Sequence, residues 1–204
     1  MRWALTIIMS LLFVFPSYAS DKALVLINGL TGTREYFNQY LGEIQQHGYD
    51  PIPIDLYAHG DFGGFGTVKD IIRETSLEIE RQAEGYSEIS ILGISAGGMS
   101  GAYYAEHGSK PVKKLGMLIS TTELSRLTNP IFQSYYSAGR QVGEASVTYT
   151  DIHVPNSVEV YRLNSLEDDI IPMPSNISHV VNNHGHRVTE ADMREVLEFI
   201  YKED

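Results

Sequence analysis

Gly93, Ser95 and Gly97 spell the pattern G-x-S-x-G. They stand at the end of an apolar run (Ile89, Ile91, Leu92, Ile94) and at the start of a stretch rich in glycine, alanine and serine over residues 96–101. That order predicts a buried strand over 89–94, a sharp turn at Ser95 and a helix behind it. A serine at the tip of such a turn sits on strained backbone, and its neighbours must be small for the turn to close. The turn lifts the hydroxyl clear of the sheet, and the helix start presents unpaired N–H groups that can stabilise an oxyanion. Alone the pattern is cheap, since about one chain in ten of this length matches it by chance. Acyl transfer at serine also needs a base for the hydroxyl proton and a carboxylate to orient that base. Both occur further on, in the order serine, carboxylate, histidine: Glu167, Asp168 and Asp169 after one apolar run, His184 and His186 after the last. Spacing leaves the choice among the carboxylates, and between the histidines, open.

The elements that must position these groups alternate along the chain. Residues 23–27 form a continuous apolar run of strand length, buried on both faces, which ends in a flexible loop over 28–32. Apolar positions at helical spacing (Phe37, Tyr40, Leu41, Ile44) predict a helix over 34–47, stopped at His47 and Gly48. A second strand covers 51–56, and Pro51 and Pro53 mark it as irregular or edge-like. A glycine-rich loop over 57–66 leads into a helix over 67–84 with Val68, Ile71, Ile72, Thr75 and Ile79 inward. Further strands are expected at 115–119, 158–163 and 179–182, and an amphipathic helix over 189–201 with Thr189 as N-cap and Asp192 three residues on. Such alternation implies a mostly parallel sheet of about six strands with helices on both faces. Ligands in such sheets sit beyond the carboxyl ends of the strands, where Ser95 and the candidate carboxylates and histidines all fall. Residues 121–157 are polar and tyrosine-bearing and follow no clear period.

Composition narrows the partners. The chain has 204 residues, a formal net charge of −11 and no cysteine. The charge argues against nucleic acid and against docking on anionic membrane through a basic patch. Residues 1–19 read as a signal peptide, with Arg2, an apolar stretch over 3–15, and small residues Ser17 and Ala19 before the cut. The stretch is short for a permanent anchor, so a periplasmic or secreted domain over 20–204 is expected, held together by packing without disulfides.

Five motifs in order resemble the α/β-hydrolase superfamily, specifically a small lipase or esterase-like member. Asn28-Gly29-Leu30 after the first strand is similar to the family's His-Gly strand end. Asp55, His59, Gly60 and Asp61 resemble the motif after the next strand. Gly93, Ser95 and Gly97 match the family's nucleophile turn. Ser165, Asp168, Ile171 and Pro172 resemble its acid turn, and Gly185-His186 its base. The resemblance implies a three-layer α/β-hydrolase fold in a minimal form, without the usual first hairpin. It implies Ser95 as nucleophile, Asp168 as orienting acid, His186 as general base, and the backbone N–H groups of Leu30 and Ala96 as the oxyanion hole. Asn28 in place of histidine and Ser165 in place of glycine depart from the pattern.

The activity so implied is hydrolysis of a small-molecule ester or other acyl substrate through an acyl-enzyme, with no cofactor. Thioester and peptide cleavage share the apparatus. Segment 121–157 would be a cap or substrate wall, with Ile131, Phe132, Tyr135 and Tyr136 lining an acyl pocket or merely packing on the sheet. A non-catalytic binding protein on the same fold is the alternative that the two departures suggest. Nucleotide binding lacks its signatures, because residues 29–34 carry no Lys-Ser/Thr pair and 60–66 do not spell G-x-G-x-x-G. His184 and His186 with a nearby aspartate are a weak zinc signal that would leave the serine turn idle, so no metal is expected.

Overall fold

Hydrophobic patterning sorts this chain into a sheet with two covered faces. The structure, a computed structural model, describes residues 20–30, 32–57, 68–127, 150–171, 173–175, 179–181 and 185–203. Its strands are β1 (Lys22–Ile27), β2 (Asp50–Ile54), β3 (Glu88–Ile94), β4 (Val112–Leu118), β5 (Glu159–Ser165) and β6 (His179–Val181). They form one sheet in the order β2-β1-β3-β4-β5-β6, and every neighbouring pair is parallel. Among the described residues the α-helices are α1 (Leu41–Gln46), α2 (Val68–Gln82), α3 (Ala96–His107) and α4 (Glu190–Tyr201).

Successive side chains of a strand point to opposite faces, so alternate residues build separate cores. Val25, Ile27, Ile91 and Met117 pack with Ile71, Ile72 and Ile79 of α2 and Met99 of α3. Leu24, Leu26, Leu92 and Leu118 pack on the other face with Phe37, Ile44 and, from α4, Met193, Val196, Leu197 and Ile200. Each of these aliphatic side chains contributes roughly 2 kcal/mol by leaving water. The three layers are those expected from the alternation of elements. α4 starts at a capping box: Thr189 Oγ1 accepts from the Asp192 N–H at 3.2 Å, and Asp192 accepts from the Thr189 N–H at 2.8 Å.

Two elements differ from the sequence reading. The helix expected over 34–47 is a 3-10 helix (Arg34–Gln39) followed by α1. Tyr40 N–H donates to Phe37 O at 2.8 Å, whereas Ile44 N–H donates to Tyr40 O at 3.0 Å, so the winding changes at Tyr40. That change brings Phe37, Tyr40 and Ile44 into one core. β4 begins at Val112, three residues before its apolar run, because Lys114 is buried there. Its amine donates to Phe199 O at 3.3 Å and to Lys202 O, and lies 5.5 Å from the Phe199 ring centre. A cation at the carboxyl end of α4 also suits the helix dipole.

β2 is an edge strand, as its prolines require. From β1 the chain turns outward to β2, then returns to β3 on the other side of β1. A crevice therefore opens between the carboxyl ends of β1 and β3, the place where such sheets hold ligands. The expected signal segment 1–19, residues 58–67 with His59 and Asp61, and residues 128–149 lie outside the described residues.

Candidate active site

Ser95 stands at the tip of the turn between β3 and α3, with φ 50° and ψ −119°. A non-glycine residue with positive φ is uncommon, and such strain concentrates at functional sites. The flanking glycines are needed for space. A Cβ on Gly93 would strike the backbone of Gly97 and Gly98, and one on Gly97 would strike the carbonyls of Ile27 and Asn28 at the end of β1. The second collision matters more here, because it ties the serine turn to the loop across the crevice.

That loop carries Leu30. A Cβ on Gly29 would come within 3.2 Å of Ser95 Cβ, so the loop lies against the serine. Asn28, which the resemblance marks as a departure, holds it from inside. Its Oδ1 accepts from the Gly29 N–H at 2.7 Å and its Nδ2 donates to Thr33 O at 3.0 Å. Asp55, buried beyond β2, accepts from the Arg34 N–H at 2.7 Å and secures the far end. The sequence puts Asp55 in the motif after the second strand and marks Asn28 only as a departure from the family pattern. A polar residue directly after a fully apolar strand was the available signal.

The carboxylate and imidazole come from the opposite side of Ser95. After β5 the chain turns at Ser165, whose carbonyl accepts from the Asp168 N–H at 3.3 Å. Asp168 Oδ1 accepts from the N–H groups of Ile170 and Ile171, both at 2.9 Å, which aims Oδ2 across the site. His186 follows Gly185, whose φ of +60° favours a glycine. His186 Nδ1 lies 2.8 Å from Asp168 Oδ2, and His186 Nε2 lies 2.9 Å from Ser95 Oγ. With Nδ1 protonated, the carboxylate accepts and Nε2 is left to accept from the serine hydroxyl. The Asp168 side chain is 1% exposed and that of His186 20% exposed, so the acid is sealed while the imidazole reaches solvent. Of the rival carboxylates, Glu167 and Asp169 are exposed; His184 lies outside the described residues.

On its other side Ser95 meets Gly29, the residue before Leu30, and Ala96 follows it in the chain. Ala96 is the first residue of α3, where the amides have no carbonyl within the helix to bond. The arrangement thus presents a hydroxyl, an imidazole behind it, a buried carboxylate behind that, and a helix start beside the hydroxyl. Phe132, Tyr135 and Tyr136 lie outside the described residues. The two ends of their segment do meet, since the Ile152 N–H donates to Thr122 O at 2.9 Å and the Ser125 N–H to Asp151 at 2.8 Å. Among the described residues no group of three or more metal-ligating side chains occurs.

No family model matches the chain, and no curated protein does. Solved structures do match. The report of two metagenome-derived lipolytic enzymes, LipS and LipT, supplies one at a TM-score of 0.62 and 13% identity, covering 89% of this chain and 93% of that one. A protein from Xanthomonas campestris pv. campestris, described as a hydrolase of the α/β superfamily, superimposes at 0.59 with 17% identity, covering 87% and 97%. The chain has the α/β-hydrolase fold. A carboxylesterase structure from the thaumarchaeon Nitrososphaera gargenis is also similar, at 0.56 and 16% identity with 89% of each chain covered. On this α/β-hydrolase scaffold, Ser95 occupies the turn at the crevice between β1 and β3.

Proposed function

We propose that this chain is a serine hydrolase of carboxylic esters, with Ser95 as nucleophile, His186 as general base and Asp168 as orienting acid. The observation that carries the reading is the single imidazole within hydrogen-bond reach of both Ser95 Oγ, at 2.9 Å, and Asp168 Oδ2, at 2.8 Å. His186 Nε2 takes the hydroxyl proton as Ser95 Oγ adds to the ester carbonyl. The N–H groups of Leu30 and Ala96 stabilise the resulting oxyanion. Collapse of the tetrahedral species breaks the ester C–O bond, and the departing alcohol takes its proton from His186. Water then adds to the acyl carbonyl and gives a proton to His186. The second collapse releases the carboxylic acid and returns the proton to Ser95.

The triad geometry alone does not distinguish esters from thioesters or amides. The description of similar structures as lipolytic enzymes and carboxylesterases weights the reading towards esters. Both departures from the family pattern have local roles: Asn28 braces the Leu30 loop, and Ser165 Oγ accepts from the Glu167 N–H at 3.4 Å. They therefore supply no ground for a non-catalytic binder. The features of residues 1–19 extend the proposal to an exported enzyme whose mature chain begins at Ser20, which N-terminal sequencing checks. The activity is tested with a fluorophosphonate probe and short-chain aryl esters. The native protein labels and turns over ester, and Ser95→Ala does neither; a native protein inert to both removes the proposal.

A further inference from the structure

Behind the side chains of the site runs a second connection between Ser95 and the acid turn, through buried polar groups just after β4 and at the end of β5. Ser95 and Ile119 are the only non-glycine residues with positive φ among the described residues, at 50° and 43°. For a β-branched side chain that conformation is a genuine outlier, and it persists only where the surroundings impose it. Ile119 lies between the two groups that grip the backbone of Ser95. The Ser95 N–H donates to Leu118 O at 2.9 Å, and Ser95 O accepts from Ser120 Oγ at 2.6 Å. The Ile119 N–H itself donates to Leu163 O at 2.7 Å. The left-handed step at Ile119 thus lets β4 hold the amide and the carbonyl of the same residue.

Ser120 is held in turn. It is fully buried, and its carbonyl accepts from Asn164 Nδ2 at 2.9 Å. Asn164 immediately precedes Ser165, the residue whose carbonyl receives the Asp168 N–H. Two features argue that this chain of bonds does more than fill space. Ser95 O already accepts from the N–H groups of Gly98 at 3.0 Å and Met99 at 3.3 Å, so its pairing does not depend on Ser120. Asn164 is 1% exposed, and its Oδ1 has no partner among the described residues. A buried carboxamide oxygen left unpaired is a net burden on folding, which an apolar side chain at that position would spare.

We infer that Ser120 and Asn164 are positioning residues that hold the backbone of Ser95 in register with the acid turn, and through it the hydroxyl and the Ala96 N–H. The inference rests on the proposed role of Ser95 as nucleophile. It is distinct from the triad, because it acts on main-chain atoms and touches neither His186 nor substrate.

The test compares native protein, Ser120→Ala, Asn164→Leu and the double variant in p-nitrophenyl butyrate hydrolysis, with amide hydrogen exchange measured on each. Loss of register by a fraction of an ångström lowers kcat about ten- to a hundredfold in each single variant, with KM held within about twofold. Because both residues act through one chain of bonds, the double variant is no slower than the slower single, a failure of additivity that independent packing defects do not give. Exchange at Gly98 and Met99 rises about tenfold or more while β1 is unchanged. The inference is overturned if Ser120→Ala keeps native kcat, if the two effects multiply, or if kcat falls only with exchange across the whole sheet. Should Asn164→Leu fail to fold, Ser120→Ala decides on kcat, KM and exchange. Should the native protein prove inert to ester and probe, the proposed function falls by itself. Exchange at Gly98 and Met99 in Ser120→Ala then decides the positioning, and an unchanged rate overturns it.

Discussion

The two walls of the crevice are held by different means. On one side Ser95 is fixed mainly by main chain: a strained turn, glycines packed against backbone, and backbone bonds from its amide to β4 and from α3 to its carbonyl, with the Ser120 hydroxyl as the one side-chain addition. On the other side the Leu30 loop is fixed by side chains, with Asn28 bracing it within and Asp55 tying down Arg34. A main-chain scaffold tolerates little, because any added atom meets backbone that cannot rotate away. A side-chain scaffold can be loosened one bond at a time. The Ser95 turn should therefore fail abruptly under substitution and the loop by degrees.

Gly97→Ala gives the largest effect, since its Cβ collides with the carbonyls of Ile27 and Asn28 and forces the two walls apart. Displacing the proposed oxyanion donors should lower kcat by about 10²–10³. The overpacking should cost about 2 kcal/mol, read as a fall in the urea midpoint. Near-native turnover in this variant would break the contrast. Asn28→Ala should be intermediate. It removes both bonds that shape the loop while leaving Ser95 untouched, so kcat falls about ten- to a hundredfold, stability falls by about 1 kcal/mol, and probe labelling slows in step with kcat. The smallest effect belongs to Asp55→Asn, which keeps an acceptor for the Arg34 N–H while giving up the charge that faces the Arg34 guanidinium at 3.9 Å. A change in kcat of less than about threefold is expected, because a half-exposed ion pair contributes at most about 1 kcal/mol. A larger loss from Asp55→Asn than from Asn28→Ala would reverse the order of the two loop anchors.

What could be read from the chain follows from how each feature is encoded. β1 and β3 are legible because strands covered on both faces must be apolar throughout, and α4 because its cap and apolar stripe are local. The start of β4 is hidden by Lys113 and Lys114, since pattern cannot reveal that an amine will find helix carbonyls to bond. The change of winding at Tyr40 is hidden too, because Phe37, Tyr40 and Ile44 fit a single helix equally well on spacing. In the site, the loops carrying Ser95, Asp168 and His186 are marked by their place after strands. The choice between Asp168 and Asp169 is not. It depends on which carboxylate receives the amides of Ile170 and Ile171, a property of the folded turn. Ser120 and Asn164 leave no trace at all, because one serine and one asparagine at strand ends look like any loop.

The prolines of β2 have an effect on how molecules meet one another. An open parallel sheet has two borders where a strand from another copy could add and start a chain of such additions. Pro51 and Pro53 have no N–H, so two of the five residues in that border strand offer no donor to an incoming backbone. The opposite border, β6, is three residues long. Among the described residues, both margins of the sheet are thus poor templates for a strand added from another copy.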